Sequence, residues 1–572
     1  MNRGTAAGFF TIVMLLPLCG NCRSGGARAA ETANQPRRQD FGGLTVLDVY
    51  GSYYDMGRQQ VNLLGGEARK QFEYQFAAYR KNTATFTGRT IDLMLPIAAW
   101  VESMYDDSGV IDEARGFAAG MGVSGSDGLR FLMGSLPAGS TVFAATRSAT
   151  KDRGAIVGRN VDWADENGRL RPIVVRYHTN NGDLAYMTAG WALSGSGAIG
   201  INEAGFAMSF NWFPGAYQPI WGGMPKWPNR RVLQKARTVA EGIRIFQAAG
   251  YRGLAGFFTM ADANGNIAMI ECTNSKCAVF RPSGDWFCGT NHAQTAEMTI
   301  LDKVRTPDSF QRLAACRKAA GLRAGTIDPE IAAQVLRDRS NSPYIDDSVV
   351  ANPMVFLSAV VQPAARTLWI SGRRQPLAPF GQMVAITFGS ATLESIPAAS
   401  QPTKPELNHE AELIRELRAA ELLFEQRKIV NSERAYDAIA DLKDKALDPN
   451  RLIWARARAE WTLGKLADAD LLLAQLDRNS PFEIQVWGLA MRGVIADWQG
   501  QRDKALAMYR KAEDLLKGAP QYRLPEVAEF VSEGPKKAAL GTEVPATPDL
   551  QYALDYPGTL GPVMPRIDRG YR

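Results

Sequence analysis

A serine stands directly after a glycine at the head of an apolar run, and an arginine and an aspartate follow within one hairpin's length. The two segments are Gly139-Ser-Thr-Val-Phe143 and Gly158-Arg-Asn-Val-Asp162. Arg159 and Asp162 lie 19 and 22 residues after Ser140, a spacing that predicts two paired strands with the three side chains close together. A serine hydroxyl needs an activating group to act as a nucleophile near pH 7. These residue types therefore indicate a site for nucleophilic chemistry.

The chain is poor in histidine, which limits how such a serine could be activated. Its 572 residues include three histidines, His178, His292 and His409, and no GxSxG or HExxH motif occurs. A Ser-His-Asp arrangement could use only His292 in a recognisable setting, so a histidine-dependent serine hydrolase remains one alternative.

Neither a metal nor a cofactor is predicted. The cysteines lack paired CxxC spacing and histidines are few, which argues against a zinc site. Gly195–Gly200 spells the dinucleotide fingerprint, but a turn at Asn202–Gly205 and an apolar run follow it where the fingerprint requires a helix. The net charge of +6 is not gathered into a dense basic block, so no nucleic-acid partner is expected.

The first residues predict export. Phe9–Leu18 is an apolar run too short to span a bilayer, and Ala27-Arg-Ala29 places small residues where a signal peptidase reads them. We expect residues 1–29 to be a signal peptide and the protein to be periplasmic or secreted, with lipid attachment at Cys19 as the alternative. No later run is long and apolar enough to predict a membrane span.

Four cysteines remain after such cleavage, and export makes disulfides permissible. Cys272 and Cys277 flank four turn residues between two apolar runs, as cross-strand partners in a hairpin would. A bridge is predicted there, with simple burial of all four thiols as the alternative.

Residues 140–395 read as strands overlaid by helices, and therefore as an α+β unit. The strand signals are Gly154–Gly158, Ile173–Tyr177, Phe206–Phe210 and Ile267–Cys272. The helical signals are Arg230–Ala249, Ser309–Ala320 and Pro329–Arg337. Residues 30–139 add a strand at Leu44–Tyr50 and further helices.

From Lys404 onward the pattern is helical, after a linker with Pro397, Pro402 and Pro405. Gly464, Ala469 and Leu473 recur 36 residues later as Gly500, Ala505 and Tyr509. This resembles tetratricopeptide repeats, with an unrelated array of helical hairpins as the alternative. We expect residues 404–540 to form an all-α domain that could bind a protein partner, and 541–572 to form a Pro/Gly-rich tail. A chain truncated near Pro402 is expected to leave a soluble front domain that can still be cleaved.

Several segments in a fixed order resemble the acyl-coenzyme A:6-aminopenicillanic acid acyltransferase family and, more distantly, choloylglycine hydrolases and acid-ceramidase-like amidases. The resemblance covers about residues 44–390. It is carried by Gly51–Gln60, Asp112–Val123, Gly139–Phe143, Gly158–Trp163, Asn202–Gly205, Phe210–Gly215, Thr290–His292, Ser309–Arg312 and Ser348–Gly372.

The resemblance implies an αββα sandwich of the N-terminal-nucleophile class, whose precursors cut themselves to free the nucleophile. It also implies a role for each of six residues: Ser140 as nucleophile, Arg159 and Asp162 orienting and polarising it, Asn211 and Asn291 as donors to the oxyanion, and Arg312 supporting the carboxylate. Cleavage after Gly139 would free an α-amino group, whose pKa of about 7.7–8.0 suits a general base. No histidine is then required.

The expected function is that of an amidase or acyltransferase that acts on a small N-acyl amide through an acyl-Ser140 intermediate, with the cleaved fragments remaining associated. The family generally has cysteine where this chain has Ser140. The alternative is therefore a catalytically inactive front domain in an exported, repeat-based binding protein.

Overall fold

The structure is a computed structural model, and the structural statements here refer to the residues it describes. These are 35–41, 43–82, 108–133, 139–163, 172–195, 197–214, 227–248, 255–273, 276–373, 376–389, 391–393 and 402–536. The predicted signal peptide and the predicted tail from residue 541 lie outside the described residues. Within the described ranges, no helix combines the length and the apolar character that crossing a membrane requires.

Sixteen strands in the described ranges form two sheets. The strands are β1 (Arg37–Phe41), β2 (Leu44–Gly51), β3 (Gly139–Ala145), β4 (Ile156–Asp162), β5 (Pro172–Thr179), β6 (Tyr186–Trp191), β7 (Ile199–Asn202), β8 (Ala207–Trp212), β9 (Gly256–Ala261), β10 (Ile267–Cys272), β11 (Cys277–Phe280), β12 (Trp286–Gly289), β13 (Val355–Gln362), β14 (Thr367–Ser371), β15 (Met383–Ile386) and β16 (Ala391–Leu393). The nine-stranded sheet has the order β1-β2-β5-β6-β7-β8-β9-β10-β11, and the seven-stranded sheet has the order β12-β3-β4-β13-β14-β15-β16. Only β2 and β5 pair in parallel among the described strands.

Among the described residues, nine helices belong to the part of the chain that contains the sheets. They are α1 (Tyr53–Leu64), α2 (Gly66–Asn82), α3 (Val110–Met121), α4 (Gly125–Met133), α5 (Trp227–Lys235), α6 (Val239–Ala248), α7 (Ala296–Thr299), α8 (Pro307–Gly321) and α9 (Pro329–Leu336). Seven more follow: α10 (Lys404–Glu425), α11 (Ile429–Asp441), α12 (Pro449–Thr462), α13 (Leu466–Leu473), α14 (Phe482–Trp498), α15 (Arg502–Gly518) and α16 (Pro525–Glu533). We call α10–α16 the helical module.

Three apolar layers show that the two sheets form an αββα sandwich. Side chains from both sheets, such as Val46 and Val142, share the cluster between them. Helices α1 and α3–α6 cover the outer face of the nine-stranded sheet, while α8 and α9 cover the outer face of the seven-stranded sheet. The predicted α+β class is confirmed.

The segment before Ser140 is built into this sandwich. β2 pairs with β5 over seven residues, and β1 extends the same sheet. Phe117 of α3 is fully buried in the outer cluster. Both sides of the predicted cleavage point therefore contribute to one core.

The helical signal at Arg230–Ala249 resolves into two helices rather than one. Asn202 donates its amide to the carbonyls of Leu233 and Ala236 at the end of α5, 2.9 and 2.6 Å away. Asp262 then accepts from the backbone nitrogen of Val239 at the start of α6. Because these contacts come from other elements, the break is absent from the local pattern. Asn202 ends β7 and begins the turn to β8, as the sequence predicts. β7 begins within Gly195–Gly200 at Ile199, and β8 comes next, where a nucleotide site would need a helix.

The predicted bridge is present, joining Cys272 and Cys277 across the hairpin of β10 and β11. Cys288 and Cys316 are buried free thiols.

The helical module consists of three helical hairpins, α10–α11, α12–α13 and α14–α15, followed by α16. Gly464 and Gly500 lie just after the last residues of α12 and α14. Both adopt the left-handed region, with φ of 79° and 72°, where glycine is favoured. The repeated Ala469 and Ala505 are fully buried. The repeat of helical hairpins thus has a structural basis, and assignment to the tetratricopeptide class stays a prediction.

The module shares an apolar cluster with the sandwich. Ile345, Leu377 and Phe380 pack with side chains of α10–α12, including Leu407 and Ile414. A second contact places Arg523 in a backbone bridge with Arg305. The sandwich and the module therefore share buried side chains, a contact that the sequence did not predict, and the independent folding of the front domain stays a prediction.

Candidate active site

Ser140 is the second residue of β3 and is fully buried. Its Oγ lies 2.6 Å from the carbonyl oxygen of Gly139, to which it donates. Arg159 of β4 donates to the same Oγ from Nη2 at 2.9 Å. The predicted hairpin is confirmed, with Ser140 opposite Val161. The hydroxyl is therefore held between its own preceding peptide group and a guanidinium.

Arg159 is itself fixed by the facing sheet. Its Nη1 donates to the carbonyl of Ala198 at 2.8 Å and to the Oγ of Ser209 at 3.0 Å. Full burial lowers the pKa of Arg159 to about 9, although Asp162 raises it. The guanidinium remains protonated at neutral pH, so it places a buried positive charge beside the Ser140 hydroxyl.

Asp162 ends β4 directly opposite Gly139. A Cβ on Gly139 would lie 2.8 Å from the Oδ2 of Asp162, so this close approach requires glycine before the serine. Burial raises the pKa of Asp162 to about 6, while Arg312 and a hydrogen bond with Asn352 lower it. At neutral pH the carboxylate is mostly ionised.

Arg312 of α8 lies at the centre of the site. Its Nη1 donates to the carbonyl of Ser140 at 2.7 Å and to the Oγ1 of Thr141 at 3.2 Å, and it pairs with the Oδ2 of Asp162 at 3.4 Å. Its Nη2 donates to Asp308 at 2.9 Å and to the Oδ1 of Asn291 at 3.2 Å. Burial works to lower the pKa of Arg312, but the neighbouring carboxylates raise it above its ordinary value.

Asn291 presents its oxygen to the backbone nitrogen of Ser140. The Oδ1 accepts from this nitrogen at 2.8 Å, and the Nδ2 donates to the carbonyl of Trp212 at 2.8 Å. Arg312 also donates to this oxygen, so two donors and one acceptor fix the orientation of the amide. The donation of Asn291 to an oxyanion stays a prediction, because the second hydrogen of Nδ2 is not used in these contacts.

Asn211, near the end of β8, contacts the site through one intermediate. Its Nδ2 donates to the carbonyl of Thr290 at 3.2 Å, which positions the segment that carries Asn291. Within the part of the chain that the structure describes, the buried Oδ1 of Asn211 has no hydrogen-bond partner. The structure thus joins five of the six predicted residues directly and places Asn211 one contact away.

Four further residues support the site and were not singled out from the sequence: Ser209, Asp308, Ser309 and Asn352. Asp308 lies four residues before Arg312 on α8, a spacing that signals an ion pair on one helix face. Ser209 lies two residues before Asn211 on β8, which signals a shared sheet face. Ser309 accepts from the backbone nitrogen of Asn291 at 3.0 Å, a contact that has no local sequence signal.

His292 belongs to the packing around the site. Its ring stacks on Phe310 with centroids 3.8 Å apart, and its Nδ1 lies 2.8 Å from the Oγ of Ser309. Burial lowers the pKa of His292 to about 3, and Arg305 and Arg312 lower it further. Among the described residues, no hydrogen bond joins His292 to Ser140.

Replacing His292 with glutamine should leave turnover within about threefold of the wild type, whereas loss of a general base costs about 10²-fold or more. Glutamine can keep a polar contact with Ser309. The measurement is kcat/KM on an N-acyl amide, made after self-cleavage of each protein has been verified by mass. A fully cleaved His292→Gln protein with no turnover would instead support the alternative of a histidine-dependent serine hydrolase.

Comparison with known proteins agrees with this geometry. Residues 149–375 match the model of the family described as acyl-coenzyme A:6-aminopenicillanic acid acyl-transferase; the matched region begins after Ser140. A search of curated proteins finds no match to this chain.

Two solved structures illustrate the likeness. The Caenorhabditis elegans N-acylethanolamine-hydrolyzing acid amidase ortholog is 16% identical and covers 39% of this chain and 93% of its own, with a TM-score of 0.30. A mutant of the conjugated bile acid hydrolase of Clostridium perfringens is 15% identical and covers 46% of this chain and 97% of its own, with a TM-score of 0.33.

The likeness rests on the family match and not on these low TM-scores. The matched region carries Arg159, Asp162, Asn211, Asn291 and Arg312, the set that the resemblance to this family predicted around Ser140. Residues 149–375 of this protein are thus similar in sequence to the acyl-coenzyme A:6-aminopenicillanic acid acyl-transferase family.

Proposed function

We propose that this protein is a self-cleaving amidase or acyltransferase of the N-terminal-nucleophile class, with Ser140 as the residue that carries the acyl group. One observation supports this above all others. The Oγ and the backbone nitrogen of Ser140 are each held by a separate partner, Arg159 and Asn291. A residue that must supply both nucleophile and base needs both atoms positioned.

Self-cleavage would begin with the Oγ of Ser140 adding to the carbonyl carbon of Gly139. The C–N bond then breaks, the nitrogen takes up the proton that left the hydroxyl, and Gly139 becomes an ester on Oγ. Water hydrolyses this ester to give the Gly139 carboxylate and a free serine. The 2.6 Å contact between Oγ and the Gly139 carbonyl oxygen supports this step, because the reacting groups are already adjacent.

In the cleaved enzyme, the α-amino group of Ser140 would accept the hydroxyl proton while Oγ attacks a substrate amide carbonyl. Asn291 would orient the amine by accepting one of its hydrogens, and Arg312 would hold the Ser140 carbonyl. Arg159 would stabilise the charge on Oγ. Asn211 and Asn291 remain our candidate donors to the oxyanion, since each amide has a second hydrogen beyond the one given to Thr290 or Trp212.

The acyl group would leave Ser140 by attack of water or of an amine. The proposed substrate is a small N-acyl amide, and no nucleic acid takes part. The cleaved fragments should stay associated, because β1 and β2 precede the cut and pair within the nine-stranded sheet.

Export of the mature protein to the periplasm or the medium is part of this proposal. The disulfide between Cys272 and Cys277 supports it, because such bonds persist in oxidising compartments. The signal-peptide pattern of residues 1–29 is the second support.

Cleavage itself provides the first test. Purified wild-type protein should give a smaller fragment ending at Gly139 and a larger one beginning at Ser140, by intact mass and N-terminal sequencing. Ser140→Ala should stay as a single chain, because it lacks the attacking oxygen. Ser140→Cys, which restores the residue common in the family, should still be cut. An uncut wild type that nevertheless turns over an amide would contradict the amine base, and an uncut, inactive wild type would favour the binding-protein alternative.

A further inference from the structure

Two buried acceptors fix the backbone of the segment that carries Asn291. The Oγ of Ser309 accepts from the nitrogen of Asn291 at 3.0 Å, and the Oδ2 of Asp302 accepts from the nitrogen of Ala293 at 2.9 Å. Both acceptor residues are buried. The Oδ1 of Asn291 accepts from the nitrogen of Ser140 at 2.8 Å, a contact that a shift of the segment by a fraction of an ångström would weaken. The two acceptors therefore decide where this oxygen points.

Arg523, between α15 and α16 of the helical module, contacts the loop that carries Asp302. Arg523 and Arg305 exchange two backbone hydrogen bonds of 3.0 Å each. The Nη1 of Arg523 also donates to the carbonyl of Thr299 at 3.1 Å and to the carbonyl of Asp302. The module thus holds this loop by a backbone and by a side chain, and one of these contacts is to Asp302 itself.

Tyr522, the residue before Arg523, packs against the helix that carries the other acceptor. Its ring meets the ring of Phe310 nearly edge-on, with centroids 5.5 Å apart and an interplanar angle of 76°. Phe482 of α14 packs on the same tyrosine with centroids 5.0 Å apart. Phe310 directly follows Ser309 near the start of α8. Because aromatic contacts of this kind have a preferred geometry, Tyr522 restrains the part of α8 where Ser309 lies.

The charge of Arg523 strengthens the same support. Burial raises the pKa of Asp302 to about 7, although the backbone nitrogens of Ala293 and Val304 and the charges of Arg305 and Arg523 lower it. Loss of the Arg523 charge would therefore favour the neutral acid. A neutral carboxyl oxygen accepts a hydrogen bond less strongly than a carboxylate does, so the contact with Ala293 would weaken.

We propose that Tyr522 and Arg523 of the helical module are positioning residues of the active site. Arg523 fixes Asp302, and Tyr522 fixes the start of α8. Together they keep the oxygen of Asn291 on the nitrogen of Ser140. This inference rests on the proposed function, in which that nitrogen is the general base. It gives the helical module a role inside the enzyme, in addition to any partner that it binds.

Arg523→Met should lower kcat for an N-acyl amide about tenfold while KM changes less than about threefold, because the amine is misplaced and no substrate group is removed. Tyr522→Ala should act in the same way, whereas Tyr522→Phe keeps the ring and should stay within about twofold of the wild type. Both residues are half-buried, so these variants leave the core in place. Arg492→Met is the matched control. Arg492 pairs with Asp470 inside the module at 2.7 Å, and its loss should change neither constant.

The Asn291→Ala background separates this role from a general effect on the fold. If Arg523 acts through Asn291, adding Arg523→Met to Asn291→Ala should lower kcat by less than about twofold further. An equal loss of kcat in both backgrounds would overturn the inference, because Arg523 would then act by another route. An active enzyme in which Arg523→Met and Tyr522→Ala both keep the wild-type kcat would overturn it as well.

Hydrogen exchange gives a measurement that does not depend on turnover. In uncut Ser140→Ala protein, the backbone amide at position 140 can still donate to Asn291, so its exchange rate reports this contact. Arg523→Met and Tyr522→Ala should each speed exchange at this amide about tenfold, while exchange within β13 of the same sheet stays unchanged. Equal acceleration in β13, or none at position 140, would overturn the positioning role. Failure of the proposed function would instead appear as a wild type that neither cleaves itself nor turns over an amide, with the exchange differences intact.

Discussion

Replacing Arg312 with methionine should leave the chain uncut and inactive and should lower its stability. The guanidinium holds the Ser140 carbonyl, the Asn291 oxygen and two carboxylates at once. Methionine fills similar space but leaves Asp162 and Asp308 without their shared cation. Removing one partner of a buried ion pair costs about 3–5 kcal/mol. Loss of the positioned Asn291 oxygen should add a rate loss of about 10²-fold or more for cleavage.

The matched control is Arg317→Met on the same helix. Arg317 is exposed and donates to Gln294 at 2.6 Å, so its loss should stay within about 0.5 kcal/mol and leave cleavage normal. Denaturant unfolding gives the stability difference, and intact mass at fixed times gives the cleavage rate. Arg312→Lys separates charge from shape, because lysine keeps the cation but cannot bridge four acceptors. A fully cut, active Arg312→Met protein would show that Arg312 is not needed for cleavage or turnover.

The hairpin of β3 and β4 could be predicted because the residues that specify it lie within one short stretch of sequence. β3 and β4 are paired residue for residue, and this register places Ser140 and Arg159 toward the facing sheet. Asp162 is in register with Gly139, which has no side chain to block it. Strand signals, a short connection and the missing Cβ all stand within one stretch of sequence.

The orientation of Asn291 could not be predicted in the same way. The resemblance placed Asn291 near Ser140, but which of its atoms faces Ser140 depends on a carbonyl from Trp212 and a guanidinium from Arg312, which come from two other elements. An amide can donate or accept with equal ease. Only the three-dimensional set of partners decides which atom faces Ser140.

The place of the helical module escaped prediction for a related reason. Its internal repeat is visible because each helical hairpin buries the same small residues, such as Ala469 and Ala505. The surface that meets the sandwich follows no repeat, since it must match Ile345, Leu377 and Phe380. A proline-bearing linker indicates a boundary in sequence, yet the two sides share one core.

A chain that ends before the helical module, such as residues 30–402, should therefore be insoluble or unfolded. Ile345, Leu377 and Phe380 would lose the apolar partners that bury them, and exposing a large apolar side chain costs about 1.5–3 kcal/mol. Asp347 would also lose its ion pair with Arg451 of α12. Together these losses approach the total stability of a typical domain, about 5–15 kcal/mol.

The control for this truncation is a chain that ends after Lys536, which keeps the described contacts of the module with the sandwich and should stay soluble and be cut. Supplying the module in trans, by co-expressing residues 403–572 with residues 30–402, should restore soluble and cleaved protein, because the missing surface is apolar and specific. Solubility, circular dichroism and intact mass report the three outcomes. If residues 30–402 alone were soluble, cooperatively folded and cut, the shared cluster would be dispensable.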